Sequence, residues 1–311
     1  MGNFDRVVMK FSNFHKNRKS WFRALFNINT SILPDVWEKA VFFGVISILV
    51  SFANQYGFLQ GQPALTSLIP TIVLSLLLVF RTNSANDRFW EGRKLWGTIT
   101  NTLRNLAWQI WVNVKEVTPE DTQRKIDTLK LLTVFAIVTK NHLRGKIGEE
   151  EIQPFLSAFH YHQLITSQHL PLQVASYLGE YLYQEYQKHN LNEYQLTSIQ
   201  NLINILMDMV GGCERILKTP IPYSYSIHLR QLLFLYCVLL PFQCVESLGW
   251  ATIPFVTIVS YILYGIEAIA LEIENPFGTD PNDLPLDQIC QTINKNIQDF
   301  ILNQNRIVNN K

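Results

Sequence analysis

The sequence contains few histidine or carboxylate residues at spacings that could bind a metal ion. His160 and His162 flank Tyr161, a spacing that could ligate a metal on a strand. On a helix the two histidines point about 200° apart, which favours solvation or packing. Asp280 and Asp283 lie among turn-forming residues and are weak candidates for holding a cation, because a dedicated calcium loop has more carboxylates.

Other catalytic patterns are missing from the sequence altogether. There is no phosphate loop, no dinucleotide-binding glycine motif, no G-x-S-x-G and no H-E-x-x-H. No side chains form a convincing nucleophile and base pair, and no cofactor is expected. The sequence therefore predicts that the protein is not an enzyme.

The composition favours a membrane protein over a nucleic-acid-binding one. The 311 residues are 48% hydrophobic and only 16% charged, which is low in charge for a soluble protein. A net charge of +1 removes the electrostatic argument for a nucleic-acid partner. The four cysteines have no metal-ligand or redox spacing, so they are predicted to be free thiols in a reducing compartment.

The elements that would position any site are dominated by uncharged runs. Residues 40–80 carry no charge and are interrupted by the turn sequence NQYGFLQGQPA. Residues 231–245 and 247–266 are also uncharged, with Glu246 between them. We expect an all-α membrane protein with four transmembrane helices in two hairpins. Buried helices of a soluble protein are the alternative, but such helices rarely stay uncharged on every face.

The distribution of lysine and arginine predicts the orientation. Six basic residues precede Trp37, and fifteen lie in residues 81–228, whereas the hairpin turns have none. By the positive-inside tendency, both termini and the middle segment face the cytoplasm. The first 35 residues contain no apolar core of a signal peptide. The predicted organisation is a cytosolic N-terminal segment 1–35, a hairpin 36–80, a cytosolic helical domain 81–228, a hairpin 229–271 and a cytosolic tail 272–311.

The second predicted span presents two faces at i, i+4, i+8 spacing. One is a hydroxyl stripe and the other an apolar stripe: Ser67, Thr71 and Ser75, and Ile69, Val73 and Leu77. Hydroxyl residues suit water but also pack helices closely, and apolar rings can line a pore that gates by dewetting. Physical reasoning from the residues leaves the choice of face open.

Four motifs together resemble the bestrophin family, in its bacterial and plant-like branch. They are FRTNSANDRFWEGRKLWG (80–97), CERILKTPIPYSYSIHLRQLLFLYCVLLPF (213–242), EAIALEIENPFG (267–278) and TDPNDLPL (279–286). Their order and spacing extend the resemblance over roughly residues 20 to 300. The segment 110–190 matches only in helical character.

The resemblance implies a homopentameric ion channel with one central pore and a cytosolic helical vestibule. It implies that the apolar stripe Ile69, Val73 and Leu77 forms the pore neck. A second constriction is expected in the cytosolic part, with Leu191 and Tyr194 as candidates. Animal members bind calcium around the NPFG tail, but here Thr279 and Pro281 stand where carboxylates are expected, so calcium activation is doubtful.

The predicted function is passive conduction of small monovalent anions, chloride first and bicarbonate or nitrate next, through a lipid bilayer. The membrane is the cell (inner) membrane, or a thylakoid membrane if the organism has one. Two alternatives remain open: a monovalent cation channel of the same fold, and a membrane scaffold that conducts nothing.

Overall fold

The computed structural model describes residues 33–58 and 68–309, and the chain there is helical without strands. The helices, with short 3-10 turns at Gln153–Phe155 and Gly249–Ala251, are α1 (Leu33–Gln55), α2 (Leu68–Asn113), α3 (Pro119–Leu143), α4 (Glu149–Ile152), α5 (Ala158–Ile165), α6 (Leu170–Gln187), α7 (Glu193–Lys218), α8 (Tyr223–Leu248), α9 (Thr252–Glu274) and α10 (Leu286–Asn309). The predicted all-α class is confirmed.

The chain divides into two compact units. The hairpin unit comprises the described residues up to Arg88 together with Pro220–Asn275 and Asp280–Asn282. The helical unit comprises Phe89–Thr219, Pro276–Thr279 and the described residues from Asp283 onward. Helix α2 contributes its first part to the hairpin unit and its second part to the helical unit.

The hairpin unit is built from apolar helices. Helix α1 packs along α9 and α8, and its Phe43 is buried against the ring of Tyr264, with ring centroids 5.6 Å apart. Helix α8 ends at Leu248 and is followed by Gly249, whose φ of 52° is a conformation that a side chain disfavours. The short 3-10 turn that follows leads directly into α9, so α8 and α9 form a hairpin.

The helical unit has its own core around α3. Ten consecutive residues of this helix, 129–138, include nine buried ones, so α3 is surrounded by other helices. Thr118 begins α3 with a capping box, in which its hydroxyl accepts from the amide of Asp121 while the Asp121 carboxylate accepts from the Thr118 amide. Helix α7 begins with the same device at Asn192 and Gln195.

Two stretches of the described residues, Val36–Gln55 and Tyr223–Glu274, are long and apolar enough to cross a membrane by length and composition. The second stretch contains both α8 and α9. The core helix of a soluble protein can pass the same test. The helix of a soluble core is mostly buried, whereas only 28% of the most apolar part of Tyr223–Glu274 is buried. The low burial favours a membrane helix.

Candidate functional site

The apolar stripe lies at the start of α2. Leu74 and Leu78 turn towards the core of the hairpin unit, while Val73 has 46% of its surface exposed. Leu77 is partly buried and packs at the edge of that core. Ile69 belongs to the first turn of α2, and its side chain lies outside the described residues. The described part of the stripe therefore presents Val73 to the surroundings of the subunit and Leu77 less so.

The described hydroxyl residues of the other stripe, Thr71 and Ser75, are exposed and make two contacts within the chain. Ser75 Oγ donates to the Thr71 carbonyl at 2.8 Å, and Thr71 Oγ1 lies 3.5 Å from the Tyr236 hydroxyl on α8. Ser67 lies outside the described residues. Both contacts are typical of hydroxyl residues that satisfy backbone carbonyls and join neighbouring helices in a membrane protein.

Arg81, in the charged motif that follows these stripes on α2, makes contacts inside the hairpin unit. Its side chain is 1% exposed, and its guanidinium contacts the Glu274 carboxylate at 3.2 Å and the Ser226 hydroxyl at 2.7 Å. Glu274 also accepts from the Ile221 amide at 3.0 Å, and its carbonyl accepts from Arg88 Nε at 3.0 Å. Glu274 thus joins α2, the start of α8 and the end of α9.

The two candidates for a second constriction differ sharply in exposure. Leu191 is 4% exposed and belongs to the hydrophobic core of the helical unit. Tyr194, in the first turn of α7, is 88% exposed. Leu191 therefore packs inside the subunit, and only Tyr194 offers a side chain to a passage outside it.

Arg144 holds the tail after α9 by hydrogen bonds. Arg144 Nε donates to the carbonyls of Phe277 and Gly278, each at 3.2 Å, and Arg144 Nη1 donates to the Asp287 carboxylate at 2.9 Å. Asp280 is exposed and Asp283 partly buried. Among the described residues, neither belongs to a group of three potential metal ligands.

One cluster of metal-ligating residue types was not predicted. His142 in the last turn of α3, His169 at the start of α6 and Glu214 on α7 place their potential ligand atoms within 4.8 Å of one another. Both Nε2 atoms contact Glu214 Oε1, at 2.7 Å from His142 and 2.9 Å from His169. The three positions are 27 and 45 residues apart, so no local spacing in the sequence could have indicated them.

Glu214 is held in its ionised form. Burial by itself raises the pKa of this carboxyl, but hydrogen bonds from Lys218, His142 and His169 outweigh it and lower the pKa to about 2. Lys218 Nζ reaches Oε2 at 2.8 Å, so the two carboxylate oxygens have separate partners. The cluster therefore presents an ionised carboxylate at neutral pH beside the side chains of His142 and His169.

Comparison with known proteins gives these sites a family context. The family model described as Bacterial/Fungal Bestrophin protein matches residues 13–299. A Nostoc sp. (strain PCC 7120) protein named voltage-dependent anion channel-forming protein is 54% identical, covering 91% of this chain and 92% of the relative. A relative with the same descriptive name in Synechocystis sp. (strain PCC 6803) is 47% identical, covering 94% of this chain and 96% of the relative.

Solved structures agree with this similarity. A mutant of a bacterial bestrophin homologue from Klebsiella pneumoniae superimposes with a TM-score of 0.78 at 26% identity, covering 86% of this chain and 99% of that one. A second mutant of the homologue gives a TM-score of 0.77 at 28% identity, covering 85% and 98%. Because the family model spans most of the sequence and the fold agrees, the chain belongs to the bacterial and fungal bestrophin family.

Proposed function

We propose that this membrane protein is an anion channel that conducts small monovalent anions, chloride first, by passive electrodiffusion. The observation that carries the proposal is the exposed apolar surface at the start of α2, where Val73 has 46% of its surface exposed. Relatives at 54% and 47% identity are named anion channel-forming proteins, which supports the ion class. The function is transport rather than catalysis.

The proposed topology has four transmembrane helices: α1, the first part of α2, α8 and α9. The helical unit and both termini lie on the cytosolic side of the cell membrane, or of a thylakoid membrane. Exposed apolar side chains on α1 and α8, such as Phe42, Leu49 and Phe234, support burial in lipid, because a large apolar surface on a subunit needs a non-aqueous partner or a second subunit.

The proposed conduction path runs along α2 of five subunits, with Ile69, Val73 and Leu77 forming the neck. An ion passing such a ring gives up part of its hydration, so the apolar rings control the barrier. The amino-terminal end of a helix favours negative charge through its dipole, and the amino-terminal end of α2 is proposed to act in this way on the permeating anion. Tyr194 is proposed to line a second constriction on the cytosolic side, whereas burial makes Leu191 a supporting residue of the same region.

A pentamer explains why one subunit is insufficient, because the exposed face of α2 encloses a passage only when copies surround it. Purified protein in mild detergent, corrected for bound detergent, should have a mass of five 36.0 kDa chains. A monomer or dimer under these conditions contradicts the proposed assembly.

Recording from purified protein in planar bilayers tests the proposed function. A KCl gradient should give a reversal potential near the chloride equilibrium potential. A reversal potential near that of potassium supports the alternative of a monovalent cation channel. Absence of current from a protein that remains oligomeric supports the alternative of a non-conducting scaffold.

A further inference from the structure

The His142, His169 and Glu214 cluster has the composition of a transition-metal site. Two imidazole nitrogens and a carboxylate are the ligands that Zn²⁺ and similar ions accept, whereas calcium and magnesium prefer oxygen ligands alone. The three residues come from three different helices of one unit, which already bring their ligand atoms within 4.8 Å. We infer that His142, His169 and Glu214 bind one Zn²⁺-class ion per subunit, with water completing the coordination.

The cluster is open enough for an ion to enter. The side chains of His142, His169 and Glu214 are 21%, 33% and 17% exposed. In the metal-free subunit the two Nε2 atoms point at the same carboxylate oxygen, in contacts of hydrogen-bond length. An ion that binds there takes the place of the imidazole protons and needs the three ligand atoms to move apart only slightly.

Two interactions oppose the metal: an ion pair of Glu214 with Lys218 and the cap that His169 makes at the start of α6. Lys218 Nζ contacts Glu214 Oε2, but its side chain is 69% exposed and can turn into solvent. The Leu172 amide donates to His169 Nδ1 at 3.1 Å, so the neutral ring carries its proton on Nε2 in the metal-free subunit. A metal on Nε2 moves that proton to Nδ1 and breaks the cap on the first turn of α6.

Because metal binding breaks the cap between Leu172 and His169, it should change amide hydrogen exchange at specific positions. Metal binding should speed amide hydrogen exchange in the first turn of α6, where Leu172 loses its acceptor. In α3 and α7, amide hydrogen exchange should slow, because the bound ion holds His142 and Glu214 together. A metal bound elsewhere on the surface would produce neither change at these positions.

Titration of Co²⁺ into the chelator-treated, full-length oligomer tests the inference through the visible absorption of the bound ion. We expect one Co²⁺ per chain, displaced by Zn²⁺ but not by Ca²⁺. Replacing His142→Gln or Glu214→Gln should weaken binding about tenfold or more, because each substitution removes one of three protein ligands. The control is the double variant His160→Gln and His162→Gln on α5, which should bind as wild type.

A third variant separates the ligand role of His169 from its capping role. Asparagine is a good amino-terminal cap, so His169→Asn retains an acceptor for Leu172 and keeps the fold while it removes the imidazole. Loss of Co²⁺ binding in this stable variant supports the site. The inference is overturned if wild type takes up no Co²⁺, or if the three cluster variants bind Co²⁺ as wild type does. The result is independent of whether the protein conducts ions.

Discussion

Arg81 and Glu274, which are 193 residues apart, form an ion pair of 3.2 Å with the arginine almost completely buried. A buried charge that loses its partner retains its desolvation cost, so removing one member costs far more than the pair itself contributes. The two motifs to which these residues belong, one within α2 and one at the end of α9, are therefore coupled within the hairpin unit.

Removal of this pair should destabilise the protein strongly. Arg81→Ala is expected to lower the free energy of unfolding by about 3–5 kcal/mol, because Glu274 then lacks its guanidinium partner. Thermal denaturation in detergent measures the effect. Arg215→Ala, which breaks an exposed pair with Glu91, is the control and should cost less than about 1 kcal/mol. Equal effects of the two substitutions would contradict a structural role for Arg81.

Gly92 is predicted to be intolerant of a side chain because it packs against Phe277. A Cβ at this position would lie 3.1 Å from the Phe277 ring and from Pro276, and the ring is completely buried. Gly92→Ala should therefore cost about 1–3 kcal/mol by displacing the ring. Gly97→Ala on the same helix meets only the end of the Arg93 side chain at 3.7 Å, and should stabilise α2 by up to about 1 kcal/mol. The difference between the two melting temperatures is the measurement.

Asp287 should make stability depend on acid pH. Burial acts to raise the pKa of this carboxyl, but hydrogen bonds from Lys140 and Arg144 outweigh it and hold the pKa below the ordinary 3.8. The pKa of Asp287 is lower in the folded protein than in the unfolded chain. Its ionised carboxylate therefore contributes its full stabilisation above the unfolded pKa, and this stabilisation is lost as pH falls through the folded pKa. Acidification below pH 3.8 should therefore destabilise the helical unit.

Asp287→Asn removes this contribution. The variant should be less stable at neutral pH by about 1 kcal/mol or less, because solvent screens a carboxyl that is 53% exposed. The difference from wild type should disappear at the lowest pH. Asp127→Asn, which breaks the exposed Asp127 and Lys130 pair, is the matched control. A constant difference across the whole pH range would contradict the assignment.

The apolar stripe, rather than the hydroxyl stripe, should control conduction. Alanine at Ile69, Val73 and Leu77 together widens and wets the proposed neck, so conductance should rise or rectification should change. Bilayer recordings measure the effect.

The matched control replaces Ser67, Thr71 and Ser75 with alanine. Because Thr71 and Ser75 make contacts within the subunit, this variant should affect stability more than current. The proposed neck is wrong if the hydroxyl variant alters conductance while the apolar variant behaves as wild type.

Calcium should not be needed for current. Thr279 and Pro281 supply no carboxylate, and Asp280 is exposed. Currents recorded from purified protein should persist when a calcium chelator is present on both sides of the bilayer. Abolition by chelator, with recovery on adding calcium, would overturn this prediction.

The sequence predicts the helical fold well because its signals are local. Uncharged runs, capping residues and the turn at Gly249 each act over a few positions. Residue contacts between distant segments carry no such signal. His142, His169 and Glu214 meet only after three helices have packed, and the burial of Leu191 depends on the core around it. The preference for the apolar stripe over the hydroxyl stripe rests on the family resemblance, because Val73, Thr71 and Ser75 are all exposed.

The position of Arg144 has a consequence for how the tail keeps its shape. Two backbone carbonyl oxygens and a carboxylate accept hydrogen bonds from the guanidinium. Oxygen atoms of these kinds are also the ligands that a hard divalent ion such as calcium binds. A guanidinium stays charged at every physiological pH and, being part of the chain, is neither diluted nor sequestered. The order of this turn is therefore constitutive: it is set when the chain folds and does not depend on a bound ion.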